Sequence, residues 1–239
     1  MEVIPHPSPN FNARRHGCGP DLVVLHYTAM ATAEAALTRL SDRVSEVSAH
    51  YLIAEDCRIW RLVAEEMRAW HAGRGAWGTV ADVNSHSVGI ELANPGDRPF
   101  PEAQMAALEA LLSGVLCRWE IPPERVIAHS DLAPARKTDP GSRFDWRRLA
   151  RAGLSIWVDE EMGAPVATVP DTAGQGDLTR TFEDAARRFG YRGDFDCVVR
   201  AFRLRFRPFA RGALTSEDVG TMAALALRAP CRDPEGLAR

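Results

Sequence analysis

Lysine is nearly missing from this chain. Of its 29 basic residues only Lys137 is a lysine, and the rest are arginine. A compositional bias accounts for the arginines. A lysine kept once against that bias points to a position where a compact ammonium of tunable pKa serves and a planar guanidinium does not. Long apolar runs are missing too, none approaching the roughly 18–20 residues that a membrane-crossing helix needs. The first residues, Met1 to Pro7, show no basic start followed by an apolar stretch. No secretory signal is read at this terminus, so the expected compartment is the cytoplasm, or the periplasm if such a segment has been removed. The formal net charge is −3, so the basic excess of a nucleic-acid binder is lacking. Cys18, Cys57, Cys117, Cys197 and Cys231 form no Cys-x-x-Cys pair, which excludes a zinc knuckle or a dithiol redox motif and fits scattered reduced thiols. No His-Glu-x-x-His helix occurs either, which counts against a zinc peptidase of that kind.

What is present is a chain of 239 residues, 46% apolar, enough for one large domain or a medium one with a small companion. Leu22 to Leu25 is a short apolar run that reads as a buried strand ending at His26. Thr32 is placed to cap a helix with Ala36, Leu37 and Leu40 on one face. Residues 51–54 and 58–63 flank Glu55 and Asp56 as a hairpin. Residues 64–86 mix glycine, aromatic and polar residues without period and read as a long functional loop. Residues 87–92 form another strand. Pro101 opens a helix to about Trp119, with Met105, Leu108, Leu112, Val115 and Leu116 inward. Residues 126–128 form a strand ending at His129, residues 130–143 a loop, and Trp146 to Ala152 a closing helix. Alternating strands and helices predict an α/β fold, a central mixed sheet flanked by helices. Residues 159–177 read as a linker rich in glycine, proline and alanine. Helical patterns over 178–189, 195–206 and 216–227 then predict a small three-helix bundle within residues 178–239, separate from a catalytic domain over residues 1–158.

Residues that carry chemistry gather at strand ends and in loops, where α/β sheets place their sites. His26 and His129 each follow an apolar strand directly. Asp139 lies ten residues after His129, across a loop containing proline that can fold back. Two histidines and one carboxylate leave a fourth tetrahedral position open, the composition of a catalytic zinc site. Glu91, inside a strand, is either a functional carboxylate or an outward surface residue. Asp131 and Asp145 read as caps or loop anchors, and His50 as a structural or supporting residue.

Six segments occur in one order: Leu25 to Ala29, Ser48 to Ile53, Ala69 to Gly73, Ser87 to Leu92, Ala128 to Asp131 and Arg136 to Gly141. Together they resemble the zinc-dependent N-acetylmuramoyl-L-alanine amidases, relatives of the peptidoglycan recognition proteins and of phage T7-type lysozyme. The resemblance covers roughly residues 1–158. It implies zinc ligands at His26, His129 and Asp139, a catalytic glutamate at Glu91 and a catalytic lysine at Lys137. It implies hydrolysis of the amide between N-acetylmuramic acid and L-alanine, with peptidoglycan fragments (anhydro-muropeptides) as partners. His71, Trp77 and Arg136 are expected to line the substrate groove. Relatives commonly carry glycine where this chain has Ala135, so Ala135 must avoid a positive φ. The bundle resembles a peptidoglycan-binding domain through residues 199–208. A non-catalytic peptidoglycan-binding protein on the same fold is the competing reading, and loss of a ligand position would favour it. Every ligand position is filled.

Overall fold

The computed structural model describes residues 2–17, 19–159 and 174–231. Most of the segment read as a linker, residues 160–173, lies outside the described residues, as does Cys18. The chain begins with two short strands, β1 (Ile4–Pro5) and β2 (Phe11–Ala13), neither foreseen from the sequence. β3 (Leu22–Tyr27) runs through His26. α1 (Ala33–Ser41) starts where Thr32 accepts a hydrogen bond from the Ala35 amide. β4 (Tyr51–Ile53) and β5 (Ile59–Arg61) pair antiparallel as the expected hairpin. The span 64–86 is not one loop. It contains β6 (Met67–Ala69) and α2 (Val83–His86), because β2 supplies an antiparallel partner for β6. β7 (Ser87–Leu92), α3 (Glu102–Trp119) and β8 (Val126–Ala128) follow. His129 then opens a short helix, α4 (His129–Leu132), rather than a loop, and α5 (Trp146–Arg151) closes this half. The last helices are α6 (Gln175–Phe189), which begins inside the span read as linker, α7 (Phe195–Phe206) and α8 (Ser216–Arg228). No described helix is long and apolar enough to cross a membrane.

The main sheet is mixed, with strand order β1-β5-β4-β7-β3-β8. β4, β7, β3 and β8 are parallel neighbours, so their carboxyl ends lie along one edge. The period of two along each strand decides what faces what. Val23, Leu25, Val88 and Ile90 point to α3 and pack on Leu108 and Leu112. Leu22, Val24 and Ile127 point to the other face, and there they join Phe182 of α6, Phe202 and Phe206 of α7 and Val219 and Leu225 of α8 in one continuous apolar cluster. The bundle therefore does not stand apart from the sheet. Its helices cover the second face of β3 and β8, and Trp77 from the 64–86 span is wedged between Phe189 and Tyr191.

Candidate metal centre and active-site groove

The strand register builds the site. In the parallel pairing His26 lies opposite Glu91, and Ala128 lies opposite Leu25, which puts His129 next to His26 at the sheet edge. All three side chains occupy the face away from α3. The loop after α4 returns Asp139 to them, tied by the Ser130 amide donating to the Asp139 carbonyl at 3.0 Å. The Nδ1 atoms of His26 and His129 approach to 2.8 Å, and both lie near Asp139 Oδ2, at 3.1 and 2.9 Å. All three residues are buried.

The far sides of the imidazoles settle their tautomers. His129 Nε2 faces the Ala72 carbonyl at 3.0 Å, an acceptor only, so the proton is on Nε2 and Nδ1 carries a lone pair. For His26 the chain of bonds is longer. Ser87 Oγ donates to the Val83 carbonyl at 2.6 Å, so it can only accept from His71 Nε2 at 3.2 Å. His71 Nδ1 is then an acceptor for His26 Nε2 at 3.0 Å, and His26 Nδ1 too carries a lone pair. Two lone pairs and a carboxylate oxygen thus converge with no proton to share between the nitrogens. Such a cluster repels itself unless a cation lies among its members, and among the described residues it is the one His/Cys/Asp/Glu group with metal-ligand geometry. The donor set, two imidazoles and one carboxylate, fits zinc with a fourth position open.

Around this cluster lies a groove of about 360 Å³, lined further by Tyr27, Arg39, Trp70, Glu91, Arg136 and Lys137. Glu91 Oε2 is enclosed without a hydrogen-bond partner. Burial, and then the charge of Asp139, push the Glu91 carboxyl up to about 8, against the pull of Lys137. Burial, and then His129, push His26 down to about 4.

The substrate-lining expectations fare unevenly. Trp77 is only 2% exposed and packs under the bundle, outside the groove, because its indole fills the space against Gly190 and the neighbouring aromatic rings. Trp70, which the sequence did not single out, lines the groove instead, its indole nitrogen donating to Asn12 Oδ1 at 2.9 Å. His71 is buried behind His26 with both ring nitrogens engaged, so it orients the His26 ring and has no free donor for a substrate. It fits there because residue 89 is glycine: a Cβ at Gly89 would come within 2.4 Å of the His71 ring. Arg136 lines the groove but spends Nε and Nη2 on the carbonyls of Ala72 and Arg74. His50 is structural, accepting from the Gly89 amide at 2.9 Å and donating to the Met67 carbonyl at 3.0 Å. Arg14 escaped the sequence entirely. Its guanidinium donates to the carbonyls of Glu65, Ser85 and Ser87 and so pins the ends of the span that carries His71. An arginine near a chain terminus carries no local signal of such a role. Ala135 does not adopt a positive φ, so its departure from glycine costs no backbone strain.

These shifts predict a pH optimum of stability for chelated protein. Glu91 holds a proton in the fold up to about 8, while an unfolded glutamate loses it near 4.5, so stability grows as pH falls from 8. His26, at about 4, His50, at about 3, and His71 stay neutral in the fold, while unfolded histidine takes up protons below 6.5, so stability falls with pH below that value. Three histidines outweigh one carboxyl. Calorimetry of chelated protein is expected to show a maximal Tm at roughly pH 6–7, and a Tm still climbing at pH 5 would contradict the assignment.

Comparison with known proteins places this geometry in a family. The family model described as N-acetylmuramoyl-L-alanine amidase matches residues 16–142, more than half of the chain. The chain belongs to this amidase family. Among relatives, the N-acetylmuramoyl-L-alanine amidase AmiD of Escherichia coli is 37% identical over 216 residues, covering 78% of this chain and 75% of that protein. The 1,6-anhydro-N-acetylmuramyl-L-alanine amidase AmpD of Citrobacter freundii is 32% identical over 160 residues, 60% of this chain and 86% of that one. Among solved amidase structures, that of E. coli AmiD with the substrate anhydro-N-acetylmuramic acid-L-Ala-D-gamma-Glu-L-Lys superposes with a TM-score of 0.77 at 33% identity, covering 91% of this chain and 92% of that one. The match to AmiD thus extends beyond the amidase half into the region of the bundle.

Proposed function

We propose that this protein hydrolyses the amide between N-acetylmuramic acid, in its 1,6-anhydro form, and the L-alanine of the stem peptide, using zinc held by His26, His129 and Asp139. The observation that carries the proposal is the convergence of two imidazole lone pairs and a carboxylate oxygen beside an unpartnered glutamate in one groove. The substrate class follows from the AmiD and AmpD relatives, whose names and bound ligand specify it. A zinc ion bound there supplies Lewis acidity and lowers the pKa of a water toward about 7.

The chain's own groups do the rest. Glu91 takes a proton from the attacking water and passes it to the leaving alanine nitrogen. Its Oε2, enclosed beside the groove without a partner, is free to accept that proton and return it. Lys137 sits in the same groove and balances the charge that develops on the carbonyl oxygen. Trp70 and Arg39, which both line the groove, are placed to hold the sugar face and an acidic group of the substrate. The exposed free thiols of Cys57 and Cys117 favour a reducing compartment, hence the cytoplasm and recycling of soluble wall fragments. A non-catalytic binding protein gains no support from a site with all ligand positions and Glu91 present.

The test is direct. Purified protein is expected to carry about one zinc per chain, to lose activity on anhydro-muramyl tripeptide when chelated, and to regain it with zinc. The product masses must correspond to free 1,6-anhydro-N-acetylmuramic acid and the intact peptide. Cleavage within the peptide, or full activity in verified metal-free protein, would overturn the proposal. Lys137→Arg is expected to keep the zinc and the fold while kcat falls about 10²–10³-fold, because a planar guanidinium does not fit where a compact ammonium stands. An unchanged kcat/KM removes Lys137 from the chemistry.

A further inference from the structure

Asp131 lies two residues after His129, fully buried in α4. It acts as a cap, Oδ2 accepting from the Ala128 amide at 2.9 Å. A cap needs no more than that, yet the carboxylate has two further partners, both from the bundle. Arg205 Nη1 donates to Oδ2 at 2.6 Å and the Tyr191 hydroxyl donates to Oδ1 at 2.6 Å. Arg205 is itself held through both terminal nitrogens and both ring faces, while its Nε has no hydrogen-bond partner. Nη2 donates to the Val126 carbonyl at 2.9 Å, and the guanidinium carbon lies 4.2 Å from the Trp146 ring centroid and 4.7 Å from that of Phe206. Neither charge of the pair touches solvent. A third bundle residue, Arg200, donates to the Pro134 carbonyl at 2.6 Å. All three act on residues 126–134. That segment carries His129, and its Ala133 carbonyl accepts from the Lys137 amide at 3.0 Å.

A fully buried ion pair is a poor source of stability, since desolvation consumes most of its attraction and apolar residues of similar volume commonly serve as well. What such a pair supplies is direction: fixed donors on a fixed carboxylate hold one backbone position. Here that position is the first turn of α4, the turn that aims His129 Nδ1 at His26 and Asp139. We propose that the helical bundle is a positioning element of the metal centre, with Arg205 and Tyr191 setting the His129 imidazole through Asp131. They are positioning residues, since neither lines the groove. The proposal rests on His129 being a metal ligand. It differs from simple docking of the bundle, which needs only the apolar cluster around Phe182 and Phe206.

The test uses the full chain and the metals themselves. Tyr191→Phe keeps the ring against Trp77 and removes only the hydroxyl that reaches Asp131. Arg205→Lys keeps a cation but cannot bond Asp131 and the Val126 carbonyl together. Arg187→Ala, on the exposed side of α6, is the control. Two quantities are measured: the zinc dissociation constant by competition with a chromophoric chelator, and the visible spectrum of the cobalt-substituted protein, which reads ligand geometry. Tyr191→Phe and Arg205→Lys are expected to weaken zinc binding about tenfold and to shift the cobalt bands, with the control like wild type. If the bundle only docks, both variants lower the unfolding temperature of chelated protein but keep wild-type zinc affinity and cobalt spectrum, which overturns the proposal. Should Arg205→Lys fail to fold, Tyr191→Phe alone decides. A wild-type chain that binds neither zinc nor cobalt overturns the metal reading itself, and is told apart because it fails before any variant is compared.

Discussion

Glu91→Gln is expected to lower kcat on an anhydro-muramyl peptide by about 10²–10⁴-fold with zinc content unchanged. The amide keeps the shape of the carboxylate and neither accepts nor returns a proton. A second effect separates this role from a steric one. In wild-type protein the buried carboxyl resists ionisation up to about 8, so chelated wild type loses stability as pH rises from 6.5 through 8. The glutamine variant has nothing to ionise there, and that part of the pH dependence should vanish. Comparing Tm of both chelated proteins at pH 6.5 and 9 reads it. A variant that turns over within tenfold of wild type, or that keeps the wild-type alkaline loss, removes Glu91 from the proton transfer.

Ending the chain at residue 159 is expected to abolish cooperative folding. The second face of the sheet would lose its cover: Leu22, Val24, Ile127, Leu132 and Trp77 pack on bundle residues in one cluster, and each such side chain returned to water forfeits about 1.5–3 kcal/mol. Asp131 would lose Arg205 and Tyr191, the two bundle partners of its carboxylate. Against a total stability of about 5–15 kcal/mol, these losses decide the outcome. On the sequence alone the same fragment is expected to fold as an independent amidase, so the experiment also judges which view of the bundle holds. A soluble monomer of residues 1–159 with a sharp thermal transition and bound zinc would refute the structural expectation.

The contrast shows where sequence is legible. His26 and His129 stood out because each ends an apolar strand, and parallel strands bring their ends together whatever the details of packing, whereas Glu91 was singled out only by the family resemblance. Asp139 stood out because the proline-containing loop after His129 can fold back over ten residues, and Lys137 because it is the single lysine of the chain. The α/β alternation and the three terminal helices were legible from period alone. Contacts between distant segments were not. Arg205 reaches Asp131 across 74 residues of chain, and nothing in α7 marks one arginine among several as the buried one. Trp77 and Trp70 stand in the same aromatic, glycine-rich stretch. Only the aromatic rings on Phe189 and Tyr191 decide that the first is packing and the second faces the groove. β1 and β2 were missed because two or three residues with exposed side chains carry no periodic signal.

Lys137 is the one side-chain amine in the protein, and it opens on the groove. An acylating or reductively alkylating reagent therefore meets a surface that is otherwise silent, apart from the chain's amino terminus. One mass increment on one tryptic peptide reports on the working end of the molecule, and its rate of appearance becomes a footprint. Ligands that enter the groove should slow the modification and ligands that bind elsewhere should not. The scarcity of one amino acid thus turns the protein into its own single-site probe, with no engineered tag.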